Sequence, residues 1–137
     1  MSDSERGQVT VLALGLSVVS FAVAGLAVDA ARTWVHKRTL QAAADAAAIS
    51  GASGVDEGRF YSDGGTRAVL DPQRVEVRVV RLLEQRGLRA SVRVEPRPGW
   101  VRVWLGSEIE TTFLSLVGIE RVPVAAEAVA RPFFGDP

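Results

Sequence analysis

The feature that most constrains this chain is an uncharged apolar run near its N-terminus. Val9–Val28 is 20 residues long, and Thr10, Ser17 and Ser20 are its only polar side chains. A helix of this length spans about 30 Å, which is the thickness of the hydrocarbon core of a bilayer. The core helix of a small soluble domain needs a polar face, and this run has none. The sequence therefore predicts a membrane-spanning helix.

The competing interpretation of this run is a cleaved signal peptide. Ala22-Val23-Ala24 has the small-x-small form of a cleavage site. The leader Met-Ser-Asp-Ser-Glu-Arg, however, carries one basic and two acidic residues, whereas signal peptides begin with a basic region. A retained anchor is favoured. The alternative is a secreted binding protein or effector that is released by cleavage near Ala24.

Small side chains recur along one face of the predicted helix. Their spacings alternate between three and four residues, so they form a continuous stripe. Stripes of small residues let membrane helices approach closely, and we predict that another helix packs here. An Ala/Ser-rich segment also produces such a stripe by chance, and both interpretations stay open. The stripe consists of Thr10, Ala13, Ser17, Ser20, Ala24, Ala27 and Ala31.

The apolar run continues into an Ala-rich segment without a helix breaker. Thr39–Ser50 consists largely of strong helix formers, and Gly51 and Gly54 supply the stop. A single helix from about residue 8 to about residue 50 would be about 65 Å long. Trp34 falls near the predicted membrane exit, where indole rings favour the interface.

Several segments on either side of the run carry a family resemblance. They are similar to the N-terminal signature of TadE/TadG-like proteins, which are pilin-like membrane proteins of the Flp (Tad) pilus and related secretion systems. The short length and the Glu-Arg-Gly-Gln entry most resemble small TadE-like proteins of actinobacterial secretion clusters. The segments are Glu5-Arg6-Gly7-Gln8-Val9-Thr10-Val11, Gly25-Leu26-Ala27-Val28-Asp29, Leu40-Gln41-Ala42-Ala43-Ala44-Asp45-Ala46-Ala47-Ala48 and Ser50-Gly51-Ala52.

The resemblance implies a minor pilin-like or pseudopilin-like component that helps to build such a machine. It implies other pilin-like or secretion-system subunits as partners, and no catalysis, cofactor or small-molecule substrate. It also implies a single-pass protein of the cytoplasmic membrane with an extracytoplasmic C-terminal domain. The count of basic residues favours the opposite orientation, because Arg6 precedes the run whereas Arg32, Lys37 and Arg38 follow it. We follow the resemblance.

The resemblance also marks Gly7 as a processing site. Prepilins carry a Gly at the peptidase site and a Glu five residues after the cut. Here the fifth residue is Leu12, and no acid lies between Glu5 and Asp29. This departure favours a chain that stays permanently anchored.

We expect an α+β protein of two parts: an anchor and helical stalk over residues 1–52, and a small pilin-like domain over residues 53–137. Val55 to Ala68 is rich in Gly and charge, and predicts a loop. Asp71-Pro72 is a helix start, with Asp as the N-cap and Pro at the first position. The helix presents an apolar face and ends at Gly87; that face is formed by Val75, Val79, Leu82 and Leu83.

Alternating apolar residues after Gly87 predict a three-stranded antiparallel sheet. Leu88–Glu95 and the segment from Trp100 to Leu105 form a hairpin around the turn Pro96-Arg97-Pro98-Gly99, and Val122–Arg131 forms a final strand. Between the second and third strands, a short amphipathic helix is expected before Gly118. Its apolar residues are Ile109, Phe113, Leu116 and Val117.

One face of the predicted hairpin carries Trp100, Arg102 and Trp104. Trp and Arg are favoured interface anchors, and an Arg between two indole rings forms cation–π contacts. The favoured interpretation is that the long helix covers these rings, and the alternative is a partner-binding face.

Composition and charge exclude several classes of function. The chain has no Cys and a single His, His36, so neither thiolate chemistry nor a Cys- or His-rich metal site is expected. Lys plus Arg and Asp plus Glu are both 16, which argues against nucleic-acid binding. A membrane-bound enzyme would need a polar cleft, and the sequence shows no catalytic pattern among its acids. The acids weighed for that role are Asp29, Asp45, Glu108 and Glu110.

Overall fold

The computed structural model describes residues 3–53 and 71–132, with backbone alone for residues 3–6. The predicted loop over residues 55–68 lies outside the described residues. The elements are α1 (Asp3–Ala52), α2 (Pro72–Gln85), β1 (Ser91–Arg97), β2 (Trp100–Glu110), a 3₁₀ turn (Leu114–Val117) and β3 (Arg121–Ala130).

Helix α1 is continuous over 50 residues, as the sequence predicted. No Pro interrupts it, and its Ala-rich second half consists of strong helix formers. Its C-terminal end is closed by a bond from the Ser53 amide to the Ile49 carbonyl, at 3.2 Å.

Helix α2 begins and ends at the predicted signals. The Asp71 carboxylate accepts bonds from the amides of Gln73 and Arg74, at 3.0 and 3.5 Å, and Pro72 occupies the first turn. The end is marked by Gly87, whose φ of 62° is favourable only for a residue without a Cβ. The buried side of the helix is formed by Val75, Val79 and Leu83.

The three strands form an antiparallel sheet in the order β1-β2-β3, which confirms the predicted α+β architecture. The predicted four-residue turn is wrong, because Arg97 pairs with Trp100 and only Pro98 and Gly99 lie between the strands. Gly99 has a φ of 84°, as the third residue of a type II turn requires.

The outer strands of the sheet each contain a proline. Pro96 lies in β1 opposite Val101, and Pro123 lies in β3. Proline lacks an amide donor and is tolerated on edge strands, where that donor would face away from the ladder. This explains why β1 extends through Pro96, where the sequence predicted that the strand would end.

The described chain divides into two compact units. The first comprises residues 1–35 and 109–122, and the second comprises residues 36–108 and 123–137. The predicted division at residue 52 separates anchor from external domain, and it stays a prediction.

The core of the second unit packs the Ala-rich half of α1 against α2 and the sheet. Small side chains on α1 let backbones approach closely: a Cβ added at Gly51 would lie 3.2 Å from methyl groups of Val75, Val79 and Val101. The buried residues are Leu40, Ala43, Ala44, Ala47, Ala48 and Ala52 of α1, Val75, Val79 and Leu83 of α2, and Val101, Val103, Leu105, Val124, Ala126 and Ala128 of the sheet.

The connection between β2 and β3 differs from the predicted amphipathic helix. Ile109 belongs to β2, and the helical part is a single 3₁₀ turn whose four residues are not buried. The turn ends at Gly118, as predicted, with a φ of 86°. The apolar residues of this connection therefore do not form the buried helix face that their spacing predicted.

Candidate functional site

The apolar first half of α1 is exposed within the described chain. Phe21, near the middle of the run, is 78% exposed, and Leu12, Leu14 and Val19 are exposed as well. Among the described residues, one helix is long and apolar enough to cross a membrane, and it covers Gly7–Ala52. A helix with large apolar side chains exposed around its circumference is stable in lipid rather than in water.

A buried carboxylate stands at the end of this apolar run. Asp29 is only 2% exposed. Its Oδ1 accepts the Thr112 amide at 3.0 Å, and its Oδ2 accepts the amides of Phe113 and Leu114 at 2.7 and 2.8 Å. One side chain thus holds three consecutive amides at the entrance of the 3₁₀ turn.

The electrostatics of this contact favour the charged carboxylate. Burial by itself raises the pKa of Asp29, but the amides of Leu114, Thr112 and Phe113 and the charge of Arg32 lower it further than burial raises it. The net pKa lies below the ordinary value for Asp. Asp29 is therefore an anion at neutral pH, neutralised by backbone dipoles.

Two further contacts fix the same segment to α1. The Arg32 guanidinium donates to the Thr112 hydroxyl at 2.7 Å. One turn before Asp29, the Phe113 ring packs directly on the backbone of Gly25, where an added Cβ would collide with the ring. Gly25 is accordingly buried, whereas Gly15 has no neighbour in the place of a Cβ. We call Gly25, Asp29, Arg32 and their contacts at Thr112–Leu114 the loop clamp.

Sequence reasoning missed the loop clamp. The sequence offers Asp29 as part of the family signature and as a candidate catalytic acid, but its partners lie 83 to 85 residues further along the chain. A local signal did exist: Gly25, Asp29 and Arg32 share one helix face at spacings of four and three, directly after the uncharged run. That pattern indicates a helix face on which another segment packs closely, but it does not identify that segment.

The predicted small-residue stripe lies on another side of α1. All of its members are exposed within the described chain. At about 100° per residue, the centre of the stripe is roughly 130° away from the face of Gly25 and Asp29. The Ser17 and Ser20 hydroxyls donate to the carbonyls of Ala13 and Leu16, both at 2.8 Å, so they need no polar partner. The loop clamp therefore leaves the stripe uncovered.

The predicted aromatic face also has the expected geometry. The Arg102 guanidinium carbon lies 5.0 Å from the centre of the Trp100 ring and 5.4 Å from that of Trp104. Its Nε lies 3.2 Å from Glu127 Oε1 of β3. The three side chains are half-buried and alternate with the buried Val101 and Val103, so they occupy the side of β2 that faces away from the core.

The remaining singled-out residues take no part in the loop clamp. His36 Nε2 is 2.6 Å from the Ser107 hydroxyl, and Asp45 accepts a bond from Gln41 at 3.1 Å. Gly7 is exposed near the start of α1. Within the described ranges, no group of three or more His, Cys, Asp or Glu side chains lies close enough together to hold a metal ion.

Comparison with known protein families shows a match over the N-terminal part of the chain. Residues 7–54 match the model of a family described as putative Flp pilus-assembly TadE/G-like. This confirms the family resemblance over the N-terminal third of the chain. The family is one of pilus-assembly components and is not known as enzymatic. No curated protein and no solved structure matches the chain.

Proposed function

We propose that this chain, whose N-terminal third matches the TadE/G-like pilus-assembly family, is a structural subunit of a Tad/Flp-type pilus or a related secretion system. It would be a minor pilin-like or pseudopilin-like component, anchored in the cytoplasmic membrane by the Val9–Val28 part of α1. Its C-terminal residues would lie outside the cytoplasm. Its mechanism would be assembly through helix and domain contacts.

The observation that carries the proposal is the exposure of the apolar run within a segment that matches an assembly family. Large side chains such as Phe21 have no cover from the described chain, so lipid or other helices must supply it. A second copy or another subunit has access to the small-residue stripe, because the loop clamp occupies a different face.

The aromatic face of β2 is proposed as a second contact with partner subunits. Arg102 is positioned between two indole rings and is paired with Glu127, so its charge is ordered before a partner arrives. Preordered Arg and Trp side chains lose little conformational entropy on binding, which is why they dominate many interfaces.

Disulfide cross-linking in the membrane tests the helix contact. The chain has no Cys, so each variant carries one thiol. Ala24→Cys lies on the stripe, and Leu26→Cys lies about 160° around the helix at nearly the same depth. We expect Ala24→Cys to cross-link to itself or to Cys variants of co-expressed pilin-like subunits, and Leu26→Cys to cross-link far less.

A genetic readout connects this contact to assembly. Deletion of the gene for this chain in its native host should abolish or reduce the pilus or the secreted product. Expression of the wild-type chain should restore the lost pilus or product. Ala24→Leu should restore it poorly, because a large side chain separates the helices, whereas Leu26→Ala should restore it fully. Equal cross-linking at both positions, together with full activity of Ala24→Leu, would contradict the proposed helix contact.

Topology and processing are tested together on a C-terminally tagged chain. A full-length, membrane-bound species whose tag is digested by external protease supports the proposed anchor. A mass lacking residues 1–7 would show processing at Gly7 despite Leu12. A soluble species beginning near Gly25 would replace the anchor with the secreted alternative, and a protected tag would reverse the proposed orientation.

A further inference from the structure

The segment between β2 and β3 presents hydrophobic side chains beside α1. We call Phe113–Ile119 the apolar loop. Leu116 is 82% exposed and Val117 is 73% exposed, and Phe113 and Ile119 are also exposed. Residues 111–119 carry no charge, although Glu110 and Glu120 flank them. An uncharged, exposed apolar cluster of this kind is typical of a surface that meets lipid or protein.

The contacts of the loop clamp fix where the apolar loop lies along α1. As the chain leaves β2, Thr112 meets Arg32, the next amides meet Asp29, and the Phe113 ring reaches Gly25. The chain therefore moves toward the N-terminal end of α1 and arrives inside the apolar run. From Phe113 to Val117 the 3₁₀ turn advances by about 8 Å at most, so Leu116 and Val117 stay near the level of Gly25.

Most backbone amides of this segment form hydrogen bonds within the protein, so the segment can lie in a medium that offers few hydrogen-bond partners. Of the nine amides from Thr111 to Ile119, at least seven donate within the protein. Three go to Asp29, and the amides of Thr111, Leu116, Gly118 and Ile119 go to backbone carbonyls at 2.9 to 3.1 Å. The Ser115 hydroxyl donates to the Thr112 carbonyl, and the Thr111 hydroxyl to the Ile119 carbonyl. Irregular backbone enters a membrane boundary only when its polar groups are satisfied in this way.

We propose that the apolar loop is a second membrane contact, which inserts Leu116 and Val117 into the interfacial zone of the bilayer that α1 spans. This inference rests on the proposed span of Val9–Val28. If the span ends at Val28, Gly25 lies just inside the hydrocarbon boundary, and a side chain at its level is among acyl chains or headgroup carbonyls. Asp29 and Arg32 then lie at headgroup level.

Lipid accounts for the observations better than a partner protein does. Protein–protein interfaces are usually anchored by Arg or Trp side chains or by unsatisfied hydrogen-bond donors. The tip of the apolar loop instead exposes only the aliphatic side chains of Leu116, Val117 and Ile119. Asp29, Glu110 and Glu120 outnumber Arg32 and Arg121 by one charge, so the contact is driven by apolar burial and not by attraction to anionic lipid.

Depth-dependent fluorescence quenching tests the contact on the full-length protein in phosphatidylcholine vesicles. Leu116→Cys carries one environment-sensitive label, and its high exposure means that no core contact is lost. Phe21→Cys reports the span itself, and Val77→Cys reports an exposed apolar position on α2. Nitroxide lipids labelled near the headgroup or deep in the chain supply the quencher.

We expect the label at 116 to be quenched by the shallow nitroxide at least about twofold more than the label at 77. The label at 21 should respond most to the deep nitroxide. If the label at 21 is not quenched, the proposed span fails and the membrane contact fails with it. If the label at 21 is quenched but those at 116 and 77 respond equally, the apolar-loop proposal alone is overturned.

A separate measurement distinguishes a protein occupant. A second preparation of the Leu116→Cys variant carries a nitroxide on its thiol in place of the fluorophore, and it is mixed with the fluorescent copy in plain lipid. Quenching by this copy without quenching by shallow nitroxide lipid would assign the loop to a subunit contact and overturn the lipid assignment.

Discussion

The two halves of the continuous helix α1 differ in which side chains they expose and which they bury. Over residues 9–28 the large apolar side chains are exposed. Over residues 40–52 one face is buried, and it consists mostly of small side chains: Leu40, Ala43, Ala44, Ala47, Ala48 and Ala52. Hydrophobicity therefore does not predict burial along this helix. The second half packs closely against α2 and the sheet, whereas the large side chains of the first half have no cover from the described chain.

Two leucines of the same helix give the sharpest test of this contrast. Leu40→Ala removes a side chain that is 1% exposed and should cost about 2–5 kcal/mol of the free energy of unfolding. Leu14→Ala, at an exposed position, should change it by less than about 0.5 kcal/mol. Urea unfolding in micelles, followed by the near-UV circular dichroism of the tryptophans, measures both. Equal losses would show that the first half is packed within the chain after all.

Two glycines make the next comparison. Gly25→Ala forces the Phe113 ring away from α1, and over-packing of this kind costs about 1–3 kcal/mol. Gly15→Ala meets nothing and should be neutral or stabilising, because Ala favours helix more than Gly does. Hydrogen exchange of the Phe113 and Leu114 amides should accelerate in Gly25→Ala alone. Acceleration in Gly15→Ala would mean that helix composition, and not the ring contact, controls the loop.

Acidification should also open the loop that Asp29 holds, with a smaller effect than Gly25→Ala. The pKa of Asp29 is lowered in the folded chain, so its contribution to loop closure is complete above the unfolded value of about 3.9 and is lost as the pH falls through the lower folded value. Protection of the Thr112–Leu114 amides, corrected for intrinsic exchange, should stay constant from neutral pH down to about 5 and decrease below about 4.

Asp29→Asn provides the matched control for this pH response. Its side-chain carbonyl still accepts hydrogen bonds but carries no charge, so protection should fall partly at neutral pH and should no longer change between about pH 5 and about pH 3 through this group. A wild-type loop that opens between about pH 7 and about pH 5, or an Asn variant that keeps the acid transition, would contradict the role given to Asp29.

The smallest effect is expected on the aromatic face of β2. Arg102→Gln removes two cation–π contacts and an ion pair whose side chains are partly exposed, so each contribution is at the low end of its range and together they amount to about 1 kcal/mol. The urea midpoint should therefore move much less than in Leu40→Ala. A loss of subunit binding larger than this loss of stability would sharpen the assignment of the face to partners, and a loss of stability as large as that of Leu40→Ala would contradict it.

Local chemistry made much of the fold predictable. Asp71 and Pro72 mark the start of α2 because capping acts within one turn, and alternation marked β2 because its core side is fully buried. Alternation predicts the edge strand β1 less clearly, because Val92 remains exposed although it pairs with the buried Leu105. The sequence predicts the turn too early because a proline usually ends a strand, whereas an edge position tolerates it.

The loop clamp was unpredictable for a different reason. Its hydrogen bonds join residues 80 to 85 positions apart, and no local period encodes that contact. The apolar spacing around Phe113 and Leu116 favoured a helix, but the amides that such a helix would leave unpaired are held by Asp29 instead. Long-range capture of a backbone segment by one carboxylate replaces the buried face that the spacing suggested.

The prolines in both outer strands affect how copies of this chain associate when they are close together. Subunits that concentrate in an array bring identical sheets close together, and an open strand edge is a template on which a neighbouring strand can add. Pro96 and Pro123 each remove one donor from an outer strand, so neither side of the sheet offers an uninterrupted row for such growth. Copies of this chain can thus be packed densely while their sheets remain separate, and association is left to side-chain surfaces.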